Sequence, residues 1–503
     1  MVFSSLVFIL GFLPLTLCGF WLASRLGPSV ARAWLCAASL VFYGWWFVGF
    51  IPVLLVSVIG NFAFARAIMS ARSETTKRRL VLTGVALDLA ALFYYKYLYA
   101  AAVWLGFGAA LGFGPQAPDL PLGISFFTFT QIAFLVDVGQ GFAQEYRLSN
   151  YFLFVTFFPH LIAGPIVHHK DLMPQFADAR TYRFNARDLA VGVAIFAFGL
   201  AKKSIIADKM SLVSREAFGL EHVGASAAWI GALAYSMQLY FDFSGYSDMA
   251  IGLARMFGVK FPLNFNSPYK ATSIINFWQR WHITLTRFLT AYVYNPIALA
   301  IVRRRAGAGQ STSKSASKTP GGFLELIALP TMITMLLAGV WHGAGFQFVV
   351  FGALHGVYIS VNHAWRTFGP KAQAKRAPSL AADIAYGCLV YVCVLVAQIF
   401  FRADSAGAAM GVLARMAGLD GIGGSIAPLV VLKLAGAMAL VWLAPNTQEI
   451  MAGFEPALES SHIRAPAQVR FRLEPVWAVF CGALLCLGMM NIADDQPFIY
   501  FQF

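Results

Sequence analysis

The sequence predicts an all-α fold, a polytopic bundle of transmembrane helices with re-entrant segments. Three observations carry this reading. Of 503 residues, 59% are hydrophobic and only 12% charged, against roughly 25% charged in a domain that faces water on all sides. Apolar runs close to the ~20 residues that cross a bilayer recur along the whole chain. Between them, basic residues collect in short loops: Arg72, Lys77, Arg78 and Arg79; Arg303, Arg304, Arg305, Lys314 and Lys318; Arg366, Lys371, Lys375 and Arg376. That is the pattern of cytoplasmic loops. An open sheet is excluded, because lipid offers no partner for its edge N–H and C=O groups. The net charge of +14 therefore reflects membrane topology, and nucleic-acid binding is set aside.

Taken in order, the first apolar run, residues 1–24, lacks a basic n-region and an A-x-A-like cleavage site. It reads as a retained span with the amino terminus outside the cytoplasm. Runs 33–50, 51–69, 80–98 and 122–139 alternate across the membrane, with a proline-rich outer loop at 115–121. Run 151–167 is apolar, but Pro159 and Gly164-Pro165 break it and basic residues flank it on one side. It reads as re-entrant, packed in protein. Runs 189–206 and 228–257 follow, and leave Lys202 and Lys203 on the outer side against the charge rule, to be met by an anionic group or paired internally. Residues 258–300, punctuated by Pro262, Pro268 and Pro296, read as a cytoplasmic segment on or dipping into the membrane. A Ser/Gly/Lys-rich stretch, 307–319, reads as a flexible inner loop. Runs 323–340, 346–365, 384–400, 428–443 and 475–490 complete about twelve spans. No repeat is visible, so the expectation is one domain, 1–503, with an extracytoplasmic tail at 491–503. The six cysteines show neither disulfide nor metal-ligand spacing.

The candidate site starts from Gly339-Val340-Trp341-His342-Gly343-Ala344-Gly345. An ionisable His342 between two spans is costly unless it faces a wet or protein-lined cavity. A plainer reading is an interfacial Trp-His pair at a helix turn. Asp242, which shares the motif Tyr240-Phe241-Asp242-Phe243-Ser244-Gly245-Tyr246-Ser247-Asp248 with Ser244, is not comfortable facing lipid either. Asp242 must pair with a basic group or line a polar path. Asn276-Phe277-Trp278-Gln279-Arg280-Trp281-His282 joins indole faces and a guanidinium, which suit an anionic, ring-bearing donor such as a coenzyme. An interfacial aromatic belt has the same composition. The ending Phe498-Ile499-Tyr500-Phe501-Gln502-Phe503 is either an interfacial anchor or one phenol on a mobile end.

In order along the chain, Met1-Val2-Phe3-Ser4-Ser5, Leu122-Gly123-Ile124-Ser125-Phe126-Phe127, Phe158-Pro159 with Ala163-Gly164-Pro165, the Asp242 motif, Phe277-Trp278 with Arg280-Trp281-His282, Trp341-His342-Gly343, Phe401-Arg402-Ala403-Asp404-Ser405, Pro445-Asn446-Thr447 and Tyr500 resemble the membrane-bound O-acyltransferase family. The likeness is to its bacterial alginate and exopolysaccharide O-acetyltransferase class, with teichoic acid D-alanyl transfer proteins as relatives, and it spans essentially the whole chain. It implies the fold of that family in a bacterial inner membrane, and acetyl-CoA as acyl donor with no permanently bound cofactor. It further implies a periplasmic acetyl-accepting or SGNH-type transferase protein as partner, and an alginate- or cellulose-like polysaccharide as final acceptor. His342 matches the catalytic histidine, His282 a second histidine near the cytoplasmic side, and Tyr500 a tyrosine that carries the acyl group as an ester. Trp341, Asp242, Ser244, Trp278, Arg280 and Asn276 are the expected substrate-binding residues. The chain departs from the family after His282: Thr286-Arg287-Phe288 stands where an Arg-Asp pair is usual, and no Gly-Gly-Asn-Arg follows. The acceptor is therefore not fixed by the resemblance.

Acyl transfer from a thioester to a hydroxyl needs a general base, a role suited to neutral imidazole. A different acyl group, such as D-alanyl from a carrier protein, is the alternative within enzymes. A transporter lined by Asp242, His342 and Lys202 is the alternative outside them.

Overall fold

The structure, a computed structural model, describes the chain except residues 109, 111–112, 114–117, 146, 220–223, 371–378, 424–425, 461–462, 464–466, 494–497 and 500–503. Tyr500, most of the 491–503 tail, much of the 115–121 loop and the lysines at 371 and 375 therefore lie outside the described residues. The described residues are helical and contain no strand, only an isolated bridge between Pro262 and Leu458.

Six helices among the described residues are long and apolar enough to cross a membrane: Val7–Leu26, Val48–Ser70, Ala186–Arg215, Ile283–Gly307, Pro320–His342 and Leu380–Arg402. A bent pair, Glu74–Lys96 with Leu98–Trp104, breaks by 58°. The apolar helices Ile124–Gly139, Ala406–Met416, Pro428–Leu443 and Pro475–Met490 are shorter. The protein is thus a multi-pass, all-α membrane protein. Prolines open several helices in the first turn, where a missing N–H costs nothing: Pro28, Pro428 and Pro475. Asn185 and Ser405 cap others through their side chains.

Within the stretch read as lying on or dipping into the membrane, residues 283–307 form a 25-residue apolar helix, long enough to cross one. Pro296 does not break it, because a π-helical turn at Thr290–Tyr294 precedes it. The proline then sits in the first turn of the following α-helical stretch, Asn295–Gly307. The wider turn absorbs the hydrogen bond that proline cannot make.

The chain divides into two compact units, both discontinuous in sequence. The first comprises Met1–Asp208, Phe241–Asn264 and Thr447–Phe503. Its helix Ala186–Ala201 touches residues 241–256, the second half of helix Ala225–Met256, through glycines. A Cβ on Gly199 would meet the Gly245 carbonyl and one on Gly192 the Gly252 carbonyl, and the reverse holds for Gly245 and Gly252. Small residues let backbones approach closely where lipid supplies no hydrophobic drive. Polar ties help elsewhere: Asn61 donates to Asp88 (2.8 Å), and Gln131 donates to Ser57 (2.7 Å) while accepting from Tyr151 (3.2 Å).

The stretch read as re-entrant is a helix, Leu148–Thr156, one further turn, Phe158–Leu161, and irregular backbone up to His168, nearly all buried. The Phe158 amide donates to Ser39 (3.1 Å). Beyond it, His168 and His169 place their Nε2 atoms 2.9 and 2.8 Å from one oxygen of Asp137. His168 Nδ1 accepts the Lys170 amide, so its Nε2 carries the proton and donates. Burial pushes the His169 imidazole below its ordinary range, opposed by that carboxylate.

Three polar knots join the segments of this unit. Lys202 pairs with Asp248 (2.6 Å), which also accepts from Gln448 (3.0 Å). Lys203 pairs with both Asp208 and Asp242 (2.7 Å each), and Asp242 accepts the Ile499 amide (2.8 Å). Arg255 pairs with Asp188 (2.6 Å) and donates to the Glu455 carbonyl (3.1 Å). The two lysines that defied the charge rule are therefore paired internally.

The second unit comprises Lys209–Tyr240 and Phe265–Asn446. Its centre is the antiparallel pair Leu329–His342 and Phe346–Phe368, joined by a three-residue turn. The two backbones nearly touch where Gly339 faces Gly352 and the Phe348 carbonyl.

Candidate active site

His342 is the last residue of its helix and is 4% exposed. Gly343, in extended backbone, turns the chain, and any side chain there would collide with the Phe348 ring. Three aromatic rings wall the imidazole: Trp341 (4.8 Å), Phe401 (5.0 Å) and Phe351 (5.7 Å), all edge-on. Phe401 opens the Phe401-Arg402-Ala403-Asp404-Ser405 motif. The Asp404 carbonyl in turn accepts from Gln347 (3.2 Å) at the start of the next helix, which fixes that wall against the turn.

The Asn276–His282 cluster packs in the same unit. Ser273 caps its short helix, Ile274–Trp278. Arg280 donates from Nε to Asn276 (3.0 Å) and from one terminal nitrogen to the Asn266 carbonyl (3.4 Å). The residue is half-buried, and among the described residues its other terminal nitrogen makes no hydrogen bond or ion pair. His282 is fully buried and takes a left-handed backbone, φ 43°, as does Ser267, φ 47°. Such a conformation in a non-glycine residue costs on the order of 1–3 kcal/mol and persists only where the surroundings impose it. Here the Asn266 amide bonds the Arg280 carbonyl (2.9 Å), and Asn446 donates to Asn266 and Ser267.

An unbroken series of rings links the two histidines. It runs from His282 to Phe265 (6.5 Å), Trp281 (5.1 Å), Phe277 (5.7 Å), His355 (6.3 Å), Phe351 (4.7 Å) and His342 (5.7 Å). The structure thus gathers His342, Trp341, His282, Trp278, Arg280 and Asn276 in one unit. Asp242 and Ser244 belong to the other unit, where Lys203 and the Ile499 amide occupy both carboxylate oxygens of Asp242. Ser244 is buried and its hydroxyl has no hydrogen-bond partner among the described residues.

Sequence reasoning passed over His355. It is 1% exposed and its Nδ1 accepts the Trp278 indole N–H (3.2 Å). The signal was present, an ionisable residue inside the apolar run 346–365, the same signal that singled out His342 and Asp242. His355→Phe should preserve the ring packing and leave a buried indole N–H without its acceptor. A loss of about 1–3 kcal/mol is expected, seen as a lower unfolding temperature of the detergent-solubilised protein, with a smaller loss for His355→Gln.

The chain belongs to the membrane-bound O-acyltransferase family, whose sequence profile matches residues 40–312. It is an O-acyltransferase. It is 36% identical over 453 residues to a peptidoglycan O-acetyltransferase of Helicobacter pylori, covering 84% of this chain and 81% of that protein. It is 37% identical over 413 residues to a probable alginate O-acetylase of Pseudomonas aeruginosa, covering 80% and 72%. A teichoic acid D-alanyltransferase of Streptococcus thermophilus is 25% identical over 249 residues, covering 48% and 57%.

Proposed function

We propose that this enzyme transfers an acetyl group from acetyl-CoA at the cytoplasmic face of a bacterial inner membrane to the far side, for O-acetylation of a cell-envelope or extracellular polysaccharide. The observation that carries this reading is His342, buried and aromatic-walled at a helix end, in a chain whose O-acetyltransferase relatives cover about four-fifths of its length. The D-alanyltransferase likeness covers half, which favours acetyl over D-alanyl.

In this reading His342 takes the proton of an acceptor hydroxyl as its oxygen attacks the thioester carbonyl. The C–S bond breaks, and the thiolate leaves with the proton returned from the imidazolium. The helix end at His342 is the negative end of the backbone dipole, which stabilises the transient imidazolium. The wall of Trp341, Phe351 and Phe401 excludes water that would otherwise hydrolyse the thioester. Arg280, with a guanidinium nitrogen to spare, meets the phosphates of the coenzyme, and Asn276 holds its orientation. Trp278, fixed by His355, and the strained His282 shape the donor path. Tyr500 is the first acceptor, and a periplasmic transferase carries the ester on to the polysaccharide.

Purified protein incubated with isotope-labelled acetyl-CoA should gain one acetyl group on Tyr500, detected by mass spectrometry of the C-terminal peptide. Absence of label from folded, wild-type protein would exclude this donor–carrier pair.

A further inference from the structure

The Asp242 carboxylate is 2% exposed, and Lys203, 3% exposed, neutralises it through one oxygen (2.7 Å). Its other oxygen accepts a hydrogen bond from the backbone amide of Ile499 (2.8 Å), a residue 257 positions later in the chain. One helical turn on from Asp242, and so on the same helix face, the Tyr246 ring stacks on Phe498 (4.3 Å, 24°) and on Phe3 (4.7 Å, 22°). The Phe243 ring adds a tilted contact to Phe498 (5.9 Å). Phe498 and Ile499 are 2% and 5% exposed. The sequence alone suggested a mobile end or an interfacial anchor. Instead, the two residues before Tyr500 are seated in the protein.

The physics of this contact is specific. A carboxylate buried beside a lysine is stable only with good geometry and further hydrogen bonds to its remaining lone pairs. Lys203 has a second carboxylate, Asp208, at the same 2.7 Å, so its charge is covered without Asp242. Asp242 is thus left with an oxygen directed at a main-chain N–H. A charge-assisted bond from amide to carboxylate is roughly twice as strong as a neutral one, and it reads backbone position rather than side-chain identity. The turn that bears Lys203, Lys202–Ala207, is π-helical, a local widening frequent at functional sites.

We propose that Asp242, held by Lys203, is a positioning residue for acyl transfer: together with Tyr246 it docks Phe498 and Ile499 and so fixes where the acyl-carrying end of the chain begins. This rests on the reading that Tyr500 carries the acyl group. Confinement of a reacting group is worth much in rate, and a misplacement of about 1 Å can cost on the order of 10²-fold.

The test uses the full-length protein and two variants that loosen the dock from opposite sides, Asp242→Asn and Phe498→Ala. Asp242→Asn leaves Lys203 paired with Asp208. Phe498→Ala leaves the whole ion network intact. Four quantities are read: deuterium exchange of the Ile499 amide, the rate of Tyr500 labelling from isotope-labelled acetyl-CoA, the KM for acetyl-CoA, and the unfolding temperature. Both variants are expected to lose exchange protection at Ile499 and to label at least about tenfold more slowly. Their KM for the donor should be unchanged; Phe498→Ala, which empties a buried position, also lowers the unfolding temperature, so the discriminating readout is rate against KM. A purely structural role would lower stability and would not separate rate from KM. Wild-type labelling rates in variants whose Ile499 exchanges freely would overturn the proposal, as would an unprotected Ile499 amide in the wild type. If no protein is labelled on Tyr500, wild type included, the carrier reading falls and the positioning role falls with it. A protected Ile499 would then mark a structural dock alone.

Discussion

Replacing His342 by glutamine is expected to reduce acyl transfer by about 10²–10⁴-fold, measured as label transferred from acetyl-CoA under saturating donor. Alanine should reduce it as far, but glutamine is the sharper test. The imidazole is packed edge-on against Trp341, Phe351 and Phe401, and truncation to alanine opens a cavity among them, which by itself destabilises a core. Glutamine keeps most of the volume and the capacity to hydrogen-bond, yet cannot take a proton from a hydroxyl and return it to a thiolate. If His342→Gln kept more than about a tenth of wild-type turnover, proton transfer would not be what the ring contributes, since removing a general base costs at least that much. Protein level and unfolding temperature of His342→Gln should stay close to wild type.

A second large effect lies away from the chemistry. Gly199→Leu should prevent accumulation of folded protein, because even its first side-chain carbon falls on the Gly245 carbonyl. Overpacking against side chains usually costs about 1–3 kcal/mol, since they can rotate away. Here the obstacle is backbone inside a helix, so relief requires the two helices to separate, and the penalty should lie at or beyond the upper end of that range. Gly245→Leu should fail equally, as it meets the Gly199 carbonyl in return. Gly482→Leu, with nothing within 4 Å of its added carbon, should accumulate normally. Levels of detergent-extracted, monodisperse protein distinguish the three. Equal yields from all of them would mean that the close glycine contact is not what holds these helices together.

Much of the helical framework was legible because its signal is local. An uninterrupted apolar run such as Leu380–Arg402 declares itself through solvation alone. The helix Ile283–Gly307 was less plain, since Arg287 and Pro296 interrupt its apolar run and the π turn that accommodates the proline leaves no mark in composition. His342 was found through the cost of burying an ionisable group, and His355 would have followed from the same argument. What the sequence could not show was pairing at a distance. Lys202 looked misplaced until Asp248, 46 positions away, was found beside it. Trp278 looked available to a ligand, but its N–H is given to a histidine 77 positions on. Asp242 had two open readings, a basic partner or a polar path, and Lys203 supplies the first.

The interleaving of the first unit bears on how the protein comes into being. Its three polar knots each draw on residues made early, midway and late: Lys202 with Asp248 and then Gln448, Lys203 with Asp242 and then Ile499, Asp188 with Arg255 and then Glu455. In every case the first two members carry opposite charges, and the late one brings a neutral amide or carbonyl. A nascent chain can therefore give each of these charges an opposite partner as soon as the middle segment, Phe241–Asn264, has been inserted. It can then wait, without an unpaired ion in lipid, while nearly two hundred further residues are synthesised. The closing segment only completes hydrogen bonds around charges already at rest, so assembly order is written into which partner is charged.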